Sequence, residues 1–191
     1  TTVYSFENFD LRGYQELYKD QDPFDKVIVL NRDPFNWIAS SIAKGTKLGL
    51  LDETFVPGPN QVDEGPNYAE WFCQSMTRID MFRQYMQQCL GEIDLLQRGY
   101  LDVNYNEWFI SKEYRKGICK KLEIPFTDKG INTIPDYGGG SSFTQISMQD
   151  KAQKMGVLER WKLMENDERY LSFITEDIRE YSRKYFNFEP F

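Results

Sequence analysis

The residues best suited to hold an anion in this chain are Arg32, Asn36, Ser40 and Lys44. A guanidinium presents a planar fork of donors that matches phosphate oxygens. Ser40 stands eight residues after Arg32, and Asn36, Ser40 and Lys44 recur at a spacing of four, which places them on one helix face. A phosphate held by Arg32 and Ser40 would rest on the flank of that helix near its start. Unpaired N–H groups and the positive end of the helix dipole favour anions there. A solvated helix face carries the same stripe of polar residues, so the stripe alone leaves both readings open.

The elements that position this stripe are legible on either side of it. Val27 to Leu30 is a short apolar and β-branched run between the turn-prone Asp25 and Asn31, which suits a central parallel strand. Asp33 can cap a helix whose first position is Pro34, where a missing N–H costs nothing.

Two later segments add to the pattern. Leu101-Asp102-Val103-Asn104-Tyr105-Asn106-Glu107-Trp108 reads as a second strand ending at a tyrosine, and Lys112 to Leu122 then reads as a helix with Tyr114, Ile118 and Leu122 in register. Lys154-Met155-Gly156-Val157-Leu158-Glu159-Arg160-Trp161-Lys162 places a basic residue and a glycine five residues before Trp-Lys. In this order and at these spacings, the three segments resemble the PAPS-dependent sulfotransferases. That family moves a sulfuryl group from 3'-phosphoadenosine-5'-phosphosulfate (PAPS) to an acceptor hydroxyl or amine.

The resemblance implies a P-loop-like α/β fold, a parallel sheet flanked by helices, for a single domain spanning residues 1–191. It implies PAPS as co-substrate, with Arg32 and Ser40 on the 3'-phosphate and Tyr105 near the adenine. Lys154 and the backbone of Gly156 would close over the phosphate, with Met155 standing where the family has a second basic residue. The acceptor would be a glycan or a small molecule. The family's Gly/Ser/Thr/Lys-rich loop, whose N–H groups cradle the 5'-phosphosulfate, should precede Arg32. Residues 1–31 contain one glycine, Gly13, in a helical context. Ala43 to Gly49 has a suitable composition but follows a helix, and Gly138 to Ser142 follows no strand. The expectation is therefore a fold incomplete at its N-terminus. The alternative is a non-catalytic module that keeps the 3'-phosphoadenosine site and has lost the sulfuryl-donor loop.

No histidine is present, so a general base must be a carboxylate or a lysine of lowered pKa. Val3 to Phe6 reads as a strand, and in the family the base tends to follow this strand. Glu7 is therefore the candidate, with Asn8 to orient it. An ordinary turn glutamate would look the same. The strand ends then bring Glu7, Arg32 and Tyr105 to one sheet edge, where open parallel sheets bind ligands.

A net charge of −7 argues against broad nucleic-acid binding, so an anionic donor needs a local basic pocket, which Arg32, Lys44, Lys154 and Arg160 could supply. The absence of histidine and of clustered cysteines argues against a zinc site. Cys73, Cys89 and Cys119 read as free thiols in a reducing, cytoplasmic setting, and no apolar run is long enough to span a membrane. The remaining pattern predicts a proline-bearing loop over Leu51–Pro66, lining an acceptor cleft. It also predicts a long helix capped by Asn67, a helical stretch over 148–156 and one amphipathic helix over Asp167–Phe186 with Leu171, Ile174, Ile178 and Tyr181 inward.

Overall fold

The computed structural model describes residues 10–20, 23–47, 66–133 and 152–191. These form a mixed α/β arrangement, mostly helical, around a two-stranded parallel sheet. In chain order the elements begin with α1 (Leu11–Tyr18), β1 (Ile28–Asn31), α2 (Pro34–Lys47) and α3 (Pro66–Cys89). They continue with β2 (Leu101–Asn104), α4 (Tyr105–Ile110), α5 (Lys112–Leu122), α6 (Glu168–Phe173) and α7 (Glu176–Tyr181). Short 3₁₀ turns cover Ala152–Lys154 and Arg160–Leu163, and a π turn covers Ser182–Phe186.

The strands pair in parallel with Ile28 opposite Leu101 and Asn31 opposite Asn104, and Leu101 N–H also donates to the Val27 carbonyl at 2.8 Å. Continued by one residue, this register sets Arg32 beside Tyr105. Burial alternates along β1: Val29 and Asn31 are buried, whereas Ile28 and Leu30 remain 49% and 60% exposed. The apolar run suggested cover on both faces. Among the described residues only the Val29 face is covered, because α1 and Leu96 pack there.

Two apolar clusters support the sheet. The larger joins Phe35, Ile38 and Ile42 of α2 to Phe82 and Met86 of α3 and to Tyr170, Phe173 and Ile178 of α6 and α7. The smaller joins Leu11 and Tyr14 of α1 to Val29 and Leu96, and Tyr85 of α3 touches both.

Several predicted boundaries move. The long helix starts at Pro66 rather than after Asn67, since proline's fixed φ suits a first helical position. The final helix is broken: Ile174 leaves helical geometry at φ −88° and ψ 68°, and Thr175 opens a new start before Glu176 and Asp177. Leu171 consequently points outward at 37% exposed, while Ile174 and Ile178 are buried. Residues 152–154 make only a 3₁₀ turn, and 148–151 lie outside the described residues. Ala43 to Lys47 belongs to α2 itself rather than following it. Gly138 to Ser142, residues 51–65 of the proline-bearing loop and the Val3–Phe6 strand also lie outside. Among the described residues no helix is long and apolar enough to cross a membrane.

Candidate anion-binding site

The junction between β1 and α2 is organised by Asp33. Its buried carboxylate accepts the Asn36 backbone N–H at 2.8 Å and thereby caps α2. Burial pushes the Asp33 carboxyl above its ordinary range, and the Asn36 hydrogen bonds oppose that. The Asn36 amide nitrogen also donates to Asp33 at 3.0 and 3.1 Å and to the Leu158 carbonyl at 3.1 Å. Its amide oxygen accepts the backbone N–H of Arg160 at 2.8 Å and that of Trp161 at 3.4 Å. Asn36 is thus a buried latch that ties the 157–161 segment to α2. It does not belong to a ligand-facing stripe, as its spacing had allowed.

The latch brings two guanidinium groups together. Arg32 donates from Nη2 to the Val157 carbonyl at 2.5 Å, and its Cζ lies 5.4 Å from the centre of the Tyr105 ring. Arg160 donates from Nη1 to Ser40 Oγ at 2.7 Å, and that hydroxyl lies 2.6 Å from the Asn36 carbonyl it donates to. Burial lowers the Arg32 pKa. Burial, and then the charge of Arg32, bring Arg160 down to about 10. Arg32 Nε is buried and meets no acceptor among the described residues. Positive charge therefore collects beside the first turns of α2, where the dipole adds to it.

Tyr105 opens α4 rather than closing β2, because Asn104 caps that helix by accepting from the N–H groups of Asn106 and Glu107. Its ring stacks on Trp108 and Phe109 at 5.8 and 6.0 Å, with interplanar angles of 25° and 24°. It is half-buried and lies at the sheet edge beside Arg32.

The other predicted site residues are placed less closely. Gly156 adopts φ +56°, a left-handed conformation that favours glycine, and it directs the chain from the Ala152–Lys154 turn toward Val157. Lys154 ends that turn with an exposed side chain. Glu7 lies outside the described residues. The contact that sequence reasoning missed is Arg160 on Ser40, which spans 120 residues. Arg160 stood in the sequence as one basic residue among several, and only the Trp-Lys that follows it marked the segment. Among the described residues no three metal-ligating side chains converge.

Directly beneath this edge lies a second polar cluster. Asn31 Nδ2 donates to Cys89 Sγ at 3.1 Å and to Asp102 Oδ1 at 3.4 Å. The Cys89 thiol and the Tyr185 hydroxyl also donate to Asp102. Burial, with the nearby Asp102 charge, pushes the Cys89 thiol up to about 12, so it is not a thiolate nucleophile at neutral pH.

Compared with known proteins, the chain matches no family, no curated sequence and no solved structure.

Proposed function

We propose that this chain adopts the sulfotransferase version of the P-loop-like α/β fold and takes a 3'-phosphoadenosine nucleotide at the β1–β2 edge. With PAPS as co-substrate it transfers a sulfuryl group to an acceptor hydroxyl or amine on a glycan or small molecule. The acceptor oxygen or nitrogen attacks sulfur and its proton passes to a base. The sulfur–oxygen bond to the 5'-phosphate then breaks, and adenosine 3',5'-bisphosphate leaves. The observation that carries this reading is the juxtaposition of Arg32 and Tyr105 at the ends of adjacent parallel strands, beside the start of α2. A charged fork and an aromatic face at one strand edge suit a phosphate attached to a base-bearing sugar. In this reading Arg32, Ser40, Lys154 and the Gly156 backbone hold the 3'-phosphate, Tyr105 meets the adenine and Glu7 serves as base.

A second reading keeps the nucleotide and drops the chemistry. Gly13, the one glycine among residues 1–31, lies within α1 and so does not form a phosphate cradle there.

Titration calorimetry with adenosine 3',5'-bisphosphate tests both readings, and sulfuryl transfer from PAPS to a panel of phenols and glycans separates them. Transfer that falls roughly 10²–10⁴-fold in Glu7→Gln, with nucleotide affinity kept, supports the enzyme and its base. Binding without transfer supports the module. No binding would remove both.

A further inference from the structure

The outward arc of α5 carries four lysines and one acid. Lys112, Lys116 and Lys120 recur at a spacing of four and are exposed, and Lys121 adds a fourth charge in the last turn. The acid, Glu113, is already paired with Lys116 at 2.6 Å. Among the described residues Lys112, Lys120 and Lys121 form no ion pair. The inward arc is different, since Arg115 is buried on the Asp128 carboxylate at 2.8 and 3.0 Å.

Local energetics do not account for this outward face. The helix dipole favours Lys120 and Lys121 in the last turn but disfavours Lys112 at the first position. Lysines four apart also repel one another. Gly117 stands mid-helix, where glycine weakens a helix relative to alanine. Among the described residues nothing lies within 4 Å of the position its Cβ would take, so no contact of the chain requires it. A bare backbone between lysines lets a surface approach closely. Two aliphatic side chains flank the helix, Ile110 at 65% exposed and Ile124 at 52%. Phe126 lies 6.0 Å from both the Lys112 and the Lys116 ammonium groups. We infer that the outward face of α5 docks on an anionic lipid bilayer, with its lysines at the headgroups and Ile110 and Ile124 at the acyl boundary.

The exposed isoleucines decide between polyanions. Aliphatic side chains find partners in an acyl layer and none along a nucleic acid or an acidic glycan. Ammonium groups are point charges that suit a laterally mobile field of headgroups, whereas selective phosphate recognition favours the guanidinium fork. Residues 112–129 hold six basic side chains against three acidic ones, in a chain of net charge −7. An anionic bilayer therefore repels the rest of the molecule and confines attachment to this face. At 11 residues α5 lies on such a surface and does not span it.

The test is co-sedimentation of the whole chain with vesicles of phosphatidylcholine containing about one third phosphatidylserine. Wild type should sediment with these and not with pure phosphatidylcholine. It should be released in about 1 M salt, where the screening length falls to about 3 Å. A lysine at an anionic surface is worth roughly fivefold in partitioning, so Lys112→Gln, Lys120→Gln and Lys121→Gln together should lose roughly a hundredfold. Gly117→Glu should also lose binding while keeping the wild-type melting temperature, which separates a lost surface from a lost fold. Ile110→Ser with Ile124→Ser should weaken binding severalfold and leave its salt dependence intact. A wild-type protein that ignores the mixed vesicles would overturn the assignment, as would a triple lysine variant that sediments equally well. Equal binding to pure phosphatidylcholine would remove the role of charge and overturn it too. Lysine-dependent binding of an oligonucleotide or of polyglutamate, with vesicles ignored, would give the face to a soluble polyanion instead.

Discussion

Asn31 and Arg32 follow one another at the end of β1, yet their side chains enter opposite surroundings. Asn31 is 5% exposed and joins Cys89, Asp102 and Tyr185. There a single carboxylate takes donors from three neutral groups, under cover of α3 and the C-terminal turn. Arg32 meets an aromatic ring, a backbone carbonyl and the charge of a second arginine. The nearest acid along the chain, Asp33, is committed to Asn36. A polar cluster whose donors and acceptors answer each other is what burial demands of a fold. Gathered positive charge in a partly buried cleft costs stability by desolvation and like-charge repulsion, as the lowered pKa values of Arg32 and Arg160 reflect. The difference comes from strand alternation, which turns neighbouring side chains to different sides.

The contrast should break hardest at Asn36, which holds the arginine side together. Asn36→Leu leaves the Leu158 carbonyl and the Arg160 N–H without their partner and takes the side-chain amide from Asp33, which keeps the backbone N–H of residue 36. The expected loss is about 2–4 kcal/mol of folding free energy, read as a lower urea midpoint. A midpoint within error of wild type would show that the 157–161 segment does not depend on this latch.

Arg32→Ala sharpens the contrast from the other side. It should weaken adenosine 3',5'-bisphosphate by roughly 1.5–3 kcal/mol, with little change in the urea midpoint, because the guanidinium contributes charge more than packing. A large loss of stability with unchanged affinity would make Arg32 a structural residue like Asn31.

Tyr185→Phe probes the closed cluster. Removing the donor to Asp102 should lower stability by about 1–2 kcal/mol and leave nucleotide affinity alone. Weakened nucleotide binding in this variant would mean that the two clusters act as one.

The smallest expected effect is a pH dependence of the same cluster. The folded-state Cys89 pKa is raised from 9.0 to about 12 by burial. The unfolded chain therefore releases that proton first, and the stability it carries is complete below pH 9 and is lost as pH rises toward about 12. The urea midpoint should fall over that window, and Cys89→Ala should fall less steeply. Parallel slopes for the two proteins would place the alkaline sensitivity elsewhere.

What the sequence displayed and what it concealed divide by range. The cap at Asp33, proline at the first position of α2, the strand at Leu101 and the whole of α5 were legible, since each depends on residues within a turn or two of one another. Where local signals competed, the apolar period misled. It ran unbroken through Asp167–Phe186, although Thr175 followed by two acids marks a helix start, and the chain does restart there.

The candidate site divides in the same way. Arg32 and Ser40 stood out by their places at a strand end and on a helix face, and Tyr105 by its strand end together with the family resemblance. That Asn36 faces inward, that Arg160 reaches Ser40 across 120 residues, and that Arg32 lies over Tyr105 were decided by tertiary structure. Local chemistry determined which groups could hold an anion. Only the parallel register of two strands and the folding of the 157–161 segment onto α2 determined which of them meet, since contacts between distant segments depend on packing that no short window of residues contains.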